Sequence, residues 1–185
     1  MNIFENVLIE LPKELANVST IVRVLWVDAS GIDVVTIDVC CANALPVWHK
    51  CLELENILAE KKAHILEMDI YAAYSGCEDT IPTNYRRKRD EAWEVIAPIV
   101  NSKEKAFLSF ERGILVKQAV ERTGRNKVTI YKYLRRYWQG GQKPNALLPK
   151  FSNCGGASKR RHPKENKRGR PSKQDKLKGK TTGIN

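Results

Sequence analysis

Within ten residues of the chain stand Lys127, Thr129, Tyr131, Lys132, Arg135 and Arg136, with Asn126 just before them. Ammonium and guanidinium groups neutralise phosphate and donate to guanine O6 and N7. A tyrosine donates its hydroxyl to a phosphate or packs its ring on a thymine methyl. Such a set can hold a polyanion; it does not break bonds. His49 and His64 stand alone, with no partner spacing that suggests a catalytic base. Cys40, Cys41, His49 and Cys51 carry zinc-ligating atoms, but their spacing matches no standard ligand pattern. The five cysteines form no CxxC pair, which fits reduced thiols.

These side chains need an element to present them. Ile130, Tyr133, Leu134 and Tyr137 recur three or four apart, which predicts a helix over Lys127–Gln139 with that stripe buried. Asn126 is suited to cap it, and Gly140-Gly141 to end it. The opposite face then carries Lys127, Thr129 or Val128, Tyr131, Lys132, Arg135 and Arg136. Phe110–Arg122 predicts a preceding helix, capped by Ser109 and stopped by Gly124. Tyr85–Asn101 predicts a third, with Pro98 expected to kink or shorten it. Helix, glycine turn, helix is the helix-turn-helix plan. Laid from Val116 to Arg135, such a unit puts Gly124 ninth, Asn126 eleventh, Ile130 fifteenth and Tyr133 eighteenth. Val120 at the fifth place and Arg125 at the tenth depart from the common pattern.

Charge divides the chain. Residues 1–84 hold 5 Lys/Arg against 13 Asp/Glu, and residues 85–185 hold 27 against 8, within a net +11. An acidic half joined to a basic half reads as two modules, the second meeting a polyanion. The first reads as a small acidic α+β domain, residues 1–76. Its expected strands are 5–11, 20–27 and 33–41, with a helix near 46–60 begun by Pro46 and a fourth strand in 63–74. Strand 33–41 does not alternate strictly, a pattern compatible with burial on both faces. Residues 77–84 read as a linker, and 85–149 as the helix-turn-helix domain. The fold class is thus α+β: a mixed α/β domain, a three-helix domain and a basic tail.

That tail, residues 150–185, holds 12 Lys/Arg against 2 acids and too few apolar residues to fold alone. Arg168, Gly169, Arg170 and Pro171 within it resemble an AT-hook core, thin and cationic enough for a narrow minor groove. A nonspecific polybasic tail explains the same residues equally well. No run of eighteen apolar residues exists, and the N-terminus lacks the basic region and the small-residue cleavage site of a signal peptide. No membrane role is expected.

The run YKYLRRYWQGGQKPNALLPKFSNCGG, residues 131–156, resembles the segment closing the first helix-turn-helix of the TnsB-like transposases of Tn-seven-like elements. Its specific part is RRYWQGGQKPNALLP. The likeness extends upstream through IAPIVNSKEKAF, 96–107, covers at least 85–156, and reaches weakly into the acidic module. It implies sequence-specific binding of double-stranded DNA at repeated transposon-end sites, and action alongside other transposase protomers and transposition proteins. It also implies a bacterial, cytoplasmic, nucleoid-associated setting. Members of this family, in the Mu and retroviral-integrase superfamily, cut and join strands with a ribonuclease-H-like core of three carboxylates and two Mg²⁺ ions. Asp90, Glu91, Glu94, Glu104, Glu111, Glu121, Glu165 and Asp175 form no plausible triad of that kind. The chain stops at Asn185, before any such core, and reads as a truncated product or an excised N-terminal portion. It is expected to bind DNA without cutting it and to need no cofactor, Mg²⁺ belonging to the absent core. The alternative reading is a helix-turn-helix transcriptional regulator with an N-terminal sensor or dimerisation domain.

Overall fold

The computed structural model of the chain describes residues 3–12, 20–73 and 78–149, and Leu177. Strands β1 Leu8–Leu11, β2 Thr20–Val27, β3 Asp33–Asp38 and β4 Val47–Lys50 precede helix α1, Cys51–Ala59, and the short β5, His64–Ile65. Helices α2 Thr83–Asn101, α3 Glu104–Phe107, α4 Ser109–Thr123 and α5 Lys127–Gln139 follow, and a 3-10 turn at Pro144–Leu147 closes the series. The class is α+β, with a helical part after the sheet.

The sheet runs β4-β3-β2-β1-β5, with every neighbouring pair antiparallel. The Val/Ile runs of β2 and β3 are buried on both faces. Side chains alternate across a strand, so Val22, Val24 and Val34 join Leu54 and Leu58 of α1 in one core. Leu25, Val35 and Ile37 join Ile96, Ile99, Phe107, Leu134 and Trp138 of the helices in another. The division into residues 1–76 and 85–149 expected from charge is therefore not a division of the core. Met1–Pro149 is one compact unit. Charge reports on surfaces, and the apolar residues beneath are continuous. Of the second unit, Lys150–Asn185, only Leu177 is described.

Buried polar groups fasten the two halves. Arg23, wholly buried on β2, holds Asp69 through both terminal nitrogens at 2.6 and 2.8 Å. Its Nε donates to the Gln139 carbonyl at the end of α5, at 3.1 Å, and Nη1 also reaches the Asn6 carbonyl at 3.2 Å. A buried guanidinium requires such partners, because an unpaired one costs several kcal/mol. The Gln142 amide donates to the Leu25 carbonyl at 2.8 Å.

Several boundaries differ from expectation for local reasons. β1 starts at Leu8 because Asn6, at φ +69°, turns the chain. Residues 47–50 are not helix; they pair with β3 as an edge strand, Val35 opposite Trp48, and α1 begins at Cys51. The strand expected in 63–74 is only His64–Ile65. Residues 78–80 form a 3-10 turn and α2 begins at Thr83, so the expected linker is partly structured. Ser109 is the first residue of α4 rather than its cap; Leu108 is the cap, and no side chain bonds there.

Pro98 lies inside α2, which continues to Asn101. A proline supplies no N–H for the carbonyl four residues back. Here that carbonyl, of Glu94, accepts from Arg122 Nη2 of α4 at 3.0 Å, and Val95 accepts from the same nitrogen at 3.1 Å.

Candidate nucleic-acid interface

The turn between α4 and α5 is built as the residues predict. Gly124 closes α4 at φ +65°, where a side chain would be strained, and its N–H donates to the Val120 carbonyl at 2.8 Å. Asn126 caps α5: its Oδ1 accepts from the Val128 N–H at 2.8 Å. Ile130, Leu134, Tyr137 and Trp138 form the buried stripe of α5, while Tyr133 is half-buried against it.

The opposite face is open at one end and covered at the other. Near its C-terminus, Gln139 Nε2 donates to the carbonyls of Asp38 and Cys41, both at 2.8 Å. Arg135 Nε donates to the Ala44 carbonyl at 3.1 Å. The connection after β3 thus lies along the last turns of α5. The first two turns remain open, with Lys127, Val128 and Lys132 exposed and Thr129 and Tyr131 half-buried. Lys127 Nζ stands 6.0 Å from the centroid of the Tyr131 ring, and Arg135 Cζ stands 5.7 Å from it. The ring lies within reach of both cations, a contact that restrains their positions.

The expected residues therefore divide. Asn126, Lys127, Thr129, Tyr131 and Lys132 come together at the open end. Arg135 borders it, held through one nitrogen. Arg136 does not join it: its Nη2 donates to the Leu148 carbonyl, and burial lowers its pKa from the usual guanidinium range. Arg168, Gly169, Arg170 and Pro171 lie outside the described residues. Two residues were underweighted by spacing alone. Arg125, exposed in the turn, lies 4.0 Å from Glu91 and flanks the open end. Val128, which spacing offers as an alternative to Thr129, is the more exposed of the two. The signal for it was available: on a 3.6-residue period Val128 and Lys132 fall opposite Ile130 and Leu134.

Asp90, Glu91 and Glu94 lie on α2, Glu104 on α3, and Glu111 and Glu121 on α4. Glu165 and Asp175 fall outside the described residues. Thr36 Oγ1 and His49 Nε2 are 3.0 Å apart, Cys51 is buried, and Cys40 and Cys41 are exposed. Among the described residues no three of His, Cys, Asp or Glu converge as a metal site. No helix among them is long and apolar enough to cross a membrane.

The run RRYWQGGQKPNALLP proves to be scaffolding. Besides Gln139 and Gln142, the Gly140 carbonyl accepts from the Ala73 N–H at 2.9 Å, and Asn145 Oδ1 accepts from the buried Arg89 at 2.8 Å. A Cβ on Gly140 would stand 2.5 Å from the Ala146 Cβ, so the close approach of the 3-10 turn to α5 requires glycine there.

Residues 89–151 match the family described as the TnsB second domain. Over 75 residues the chain is 47% identical to the Transposon Tn7 transposition protein TnsB of Escherichia coli, a stretch covering 40% of this chain and 10% of that protein. The chain thus aligns with about a tenth of that relative's length. The matched segment contains α3, α4, α5, the last two thirds of α2, and the 3-10 turn. The helical part of the chain is thus similar to the second domain of TnsB.

Proposed function

We propose that the chain is a sequence-specific double-stranded DNA-binding portion of a transposase, acting at repeated sites in transposon ends. The observation that carries this reading is the open N-terminal end of α5. A capped helix presents Lys127, Val128, Tyr131 and Lys132 there, inside a segment similar to the TnsB second domain. A helix enters the major groove with its first turns at the base edges, and here those turns are the ones left uncovered. Lys127 and Lys132 meet phosphates or guanine. Tyr131 stands where its hydroxyl reaches the backbone, and Arg135 keeps terminal nitrogens beside it. Arg125 extends the cationic border.

In this reading the sheet positions the helix. Gln139, Gln142 and Arg23 lock the end of α5 to β2 and to the segment after β3, so the reading helix is held on a rigid support. The tail, with Arg168, Gly169, Arg170 and Pro171, tracks an adjacent minor groove and raises affinity by effective concentration. The chain binds duplex without cutting it, works with other transposase protomers and transposition proteins, and acts at the nucleoid of a bacterial cell.

A titration of the 185-residue chain with a duplex from the terminal repeats of its own transposon tests this. Binding at least about a hundredfold tighter than to a scrambled duplex, at physiological salt, is the expected result; specific sites usually exceed nonspecific ones by more than that. Equal affinity for the two would end the specificity claim. Mg²⁺-dependent nicking by the purified chain would overturn the binding-only part.

A further inference from the structure

We infer that Val128 reads a thymine methyl in the major groove, making it a specificity-determining residue of this interface; the inference rests on the DNA-binding role proposed above. Val128 is 71% exposed, while Ile130, Leu134, Tyr137 and Trp138 of the same helix are all buried. It stands at the middle of the open face, one turn before Lys132 and beside Lys127, so its surroundings are cationic. Among the described residues neither hydrophobic core includes it.

Its position is well fixed. The Val128 N–H is the group that Asn126 caps, at 2.8 Å. A β-branched side chain in a helix has one strongly preferred rotamer. Two methyl groups are therefore presented at the tip of the helix with little conformational freedom left to lose on contact. Valine is also a poorer helix former than glutamate or glutamine, which a solvated first turn accommodates well.

What apolar group can meet it is decided by the chemistry of the groove. Base edges there offer donors, acceptors and a single kind of apolar group, the C5-methyl of thymine. Residues in the first turns of a helix placed in that groove reach those edges. A cytosine amino group opposite Val128 would be stripped of water without a partner, so thymine is favoured at that position.

The test removes the methyl from the DNA rather than from the protein. A duplex is enriched from a random library with the full chain, and each of its thymines is replaced singly by deoxyuridine. Burial of one methyl corresponds to about a fourfold change in affinity. The expected result is that one or two positions weaken binding about fourfold, and that Val128→Ala loses sensitivity to those same positions while keeping its melting temperature. If every deoxyuridine duplex binds as tightly as its thymine parent, or Val128→Ala stays as sensitive as the wild type, the inference is wrong and the DNA-binding proposal stands. Failure to enrich any duplex would remove both.

Discussion

Replacing Gln139 by Ala tests whether sheet and helices are one cooperative structure. The Gln139 amide makes two hydrogen bonds of 2.8 Å, to the carbonyls of Asp38 and Cys41. Each is worth about 1 kcal/mol net. The Cys41 bond is exposed and water can replace it in part, whereas the Asp38 bond is partly buried and its carbonyl would lose its partner. The combined cost is about 2 kcal/mol. For a unit of this size that lowers the melting temperature by about 4–8 °C. Urea unfolding followed by tryptophan fluorescence and by circular dichroism measures it. Trp26 and Trp48 report on the sheet, and Trp93 and Trp138 on the helices. Wild type and variant should each show one transition, coincident in both signals, shifted together by the substitution. Gln118→Ala, on the exposed side of α4, should shift nothing measurable. A Gln139→Ala effect below about 0.5 kcal/mol, the range of ordinary surface changes, would refute the docking argument. Separate transitions in the wild type would refute the shared core.

Four further outcomes follow from the same structure. Asn126→Ala should cost about 1 kcal/mol by uncapping α5, read from the shift in urea midpoint. Arg122→Ala should cost about 1–2 kcal/mol, because the Glu94 carbonyl facing Pro98 loses its donor; helix content from circular dichroism should fall slightly with it. Burial alone would raise the Asp69 pKa, but the hydrogen bond and charge of Arg23, with the N–H groups of Tyr71 and Ala72, outweigh it and hold the carboxyl below the usual range. That stabilisation is complete above the unfolded pKa of about 3.9 and disappears as pH falls through the lower folded value, so acid titration of Asp69→Asn should show a shallower loss than wild type. Affinity for duplex should fall by roughly 10³-fold or more between 50 and 200 mM salt if six or more phosphates are contacted, measured by fluorescence anisotropy.

The helical part was the more legible half. The 3.6-residue stripe of α5, its asparagine cap and the glycine before it are local signals, and each appears where its residues place it. β2 and β3 were legible as runs of Val and Ile. β4 was not, because Pro46 is as fit to begin a helix as to precede an edge strand, and only pairing with β3 decides between them. The course of α2 through Pro98 depends on Arg122, 24 residues later, which no window around the proline contains. Arg135 and Arg136 looked alike in sequence. Their fates differ because one neighbours Ala44 and the other Leu148, contacts set by tertiary packing. The same holds for the glutamines and glycines of the QGGQ segment, whose partners lie on the sheet.

The most direct test of the central claim is a matched pair of charge reversals assayed on one terminal-repeat duplex by fluorescence anisotropy. Lys132→Glu changes the open face of α5, and Lys62→Glu makes the same charge change in the turn before β5, with both lysines exposed. If α5 meets the duplex, Lys132→Glu should weaken binding at least about thirtyfold, through loss of a contact and like-charge repulsion, while Lys62→Glu changes it less than about threefold by the long-range field alone. Equal effects of the two substitutions would mean that the chain is attracted to DNA only by its net charge, and that α5 does not read it.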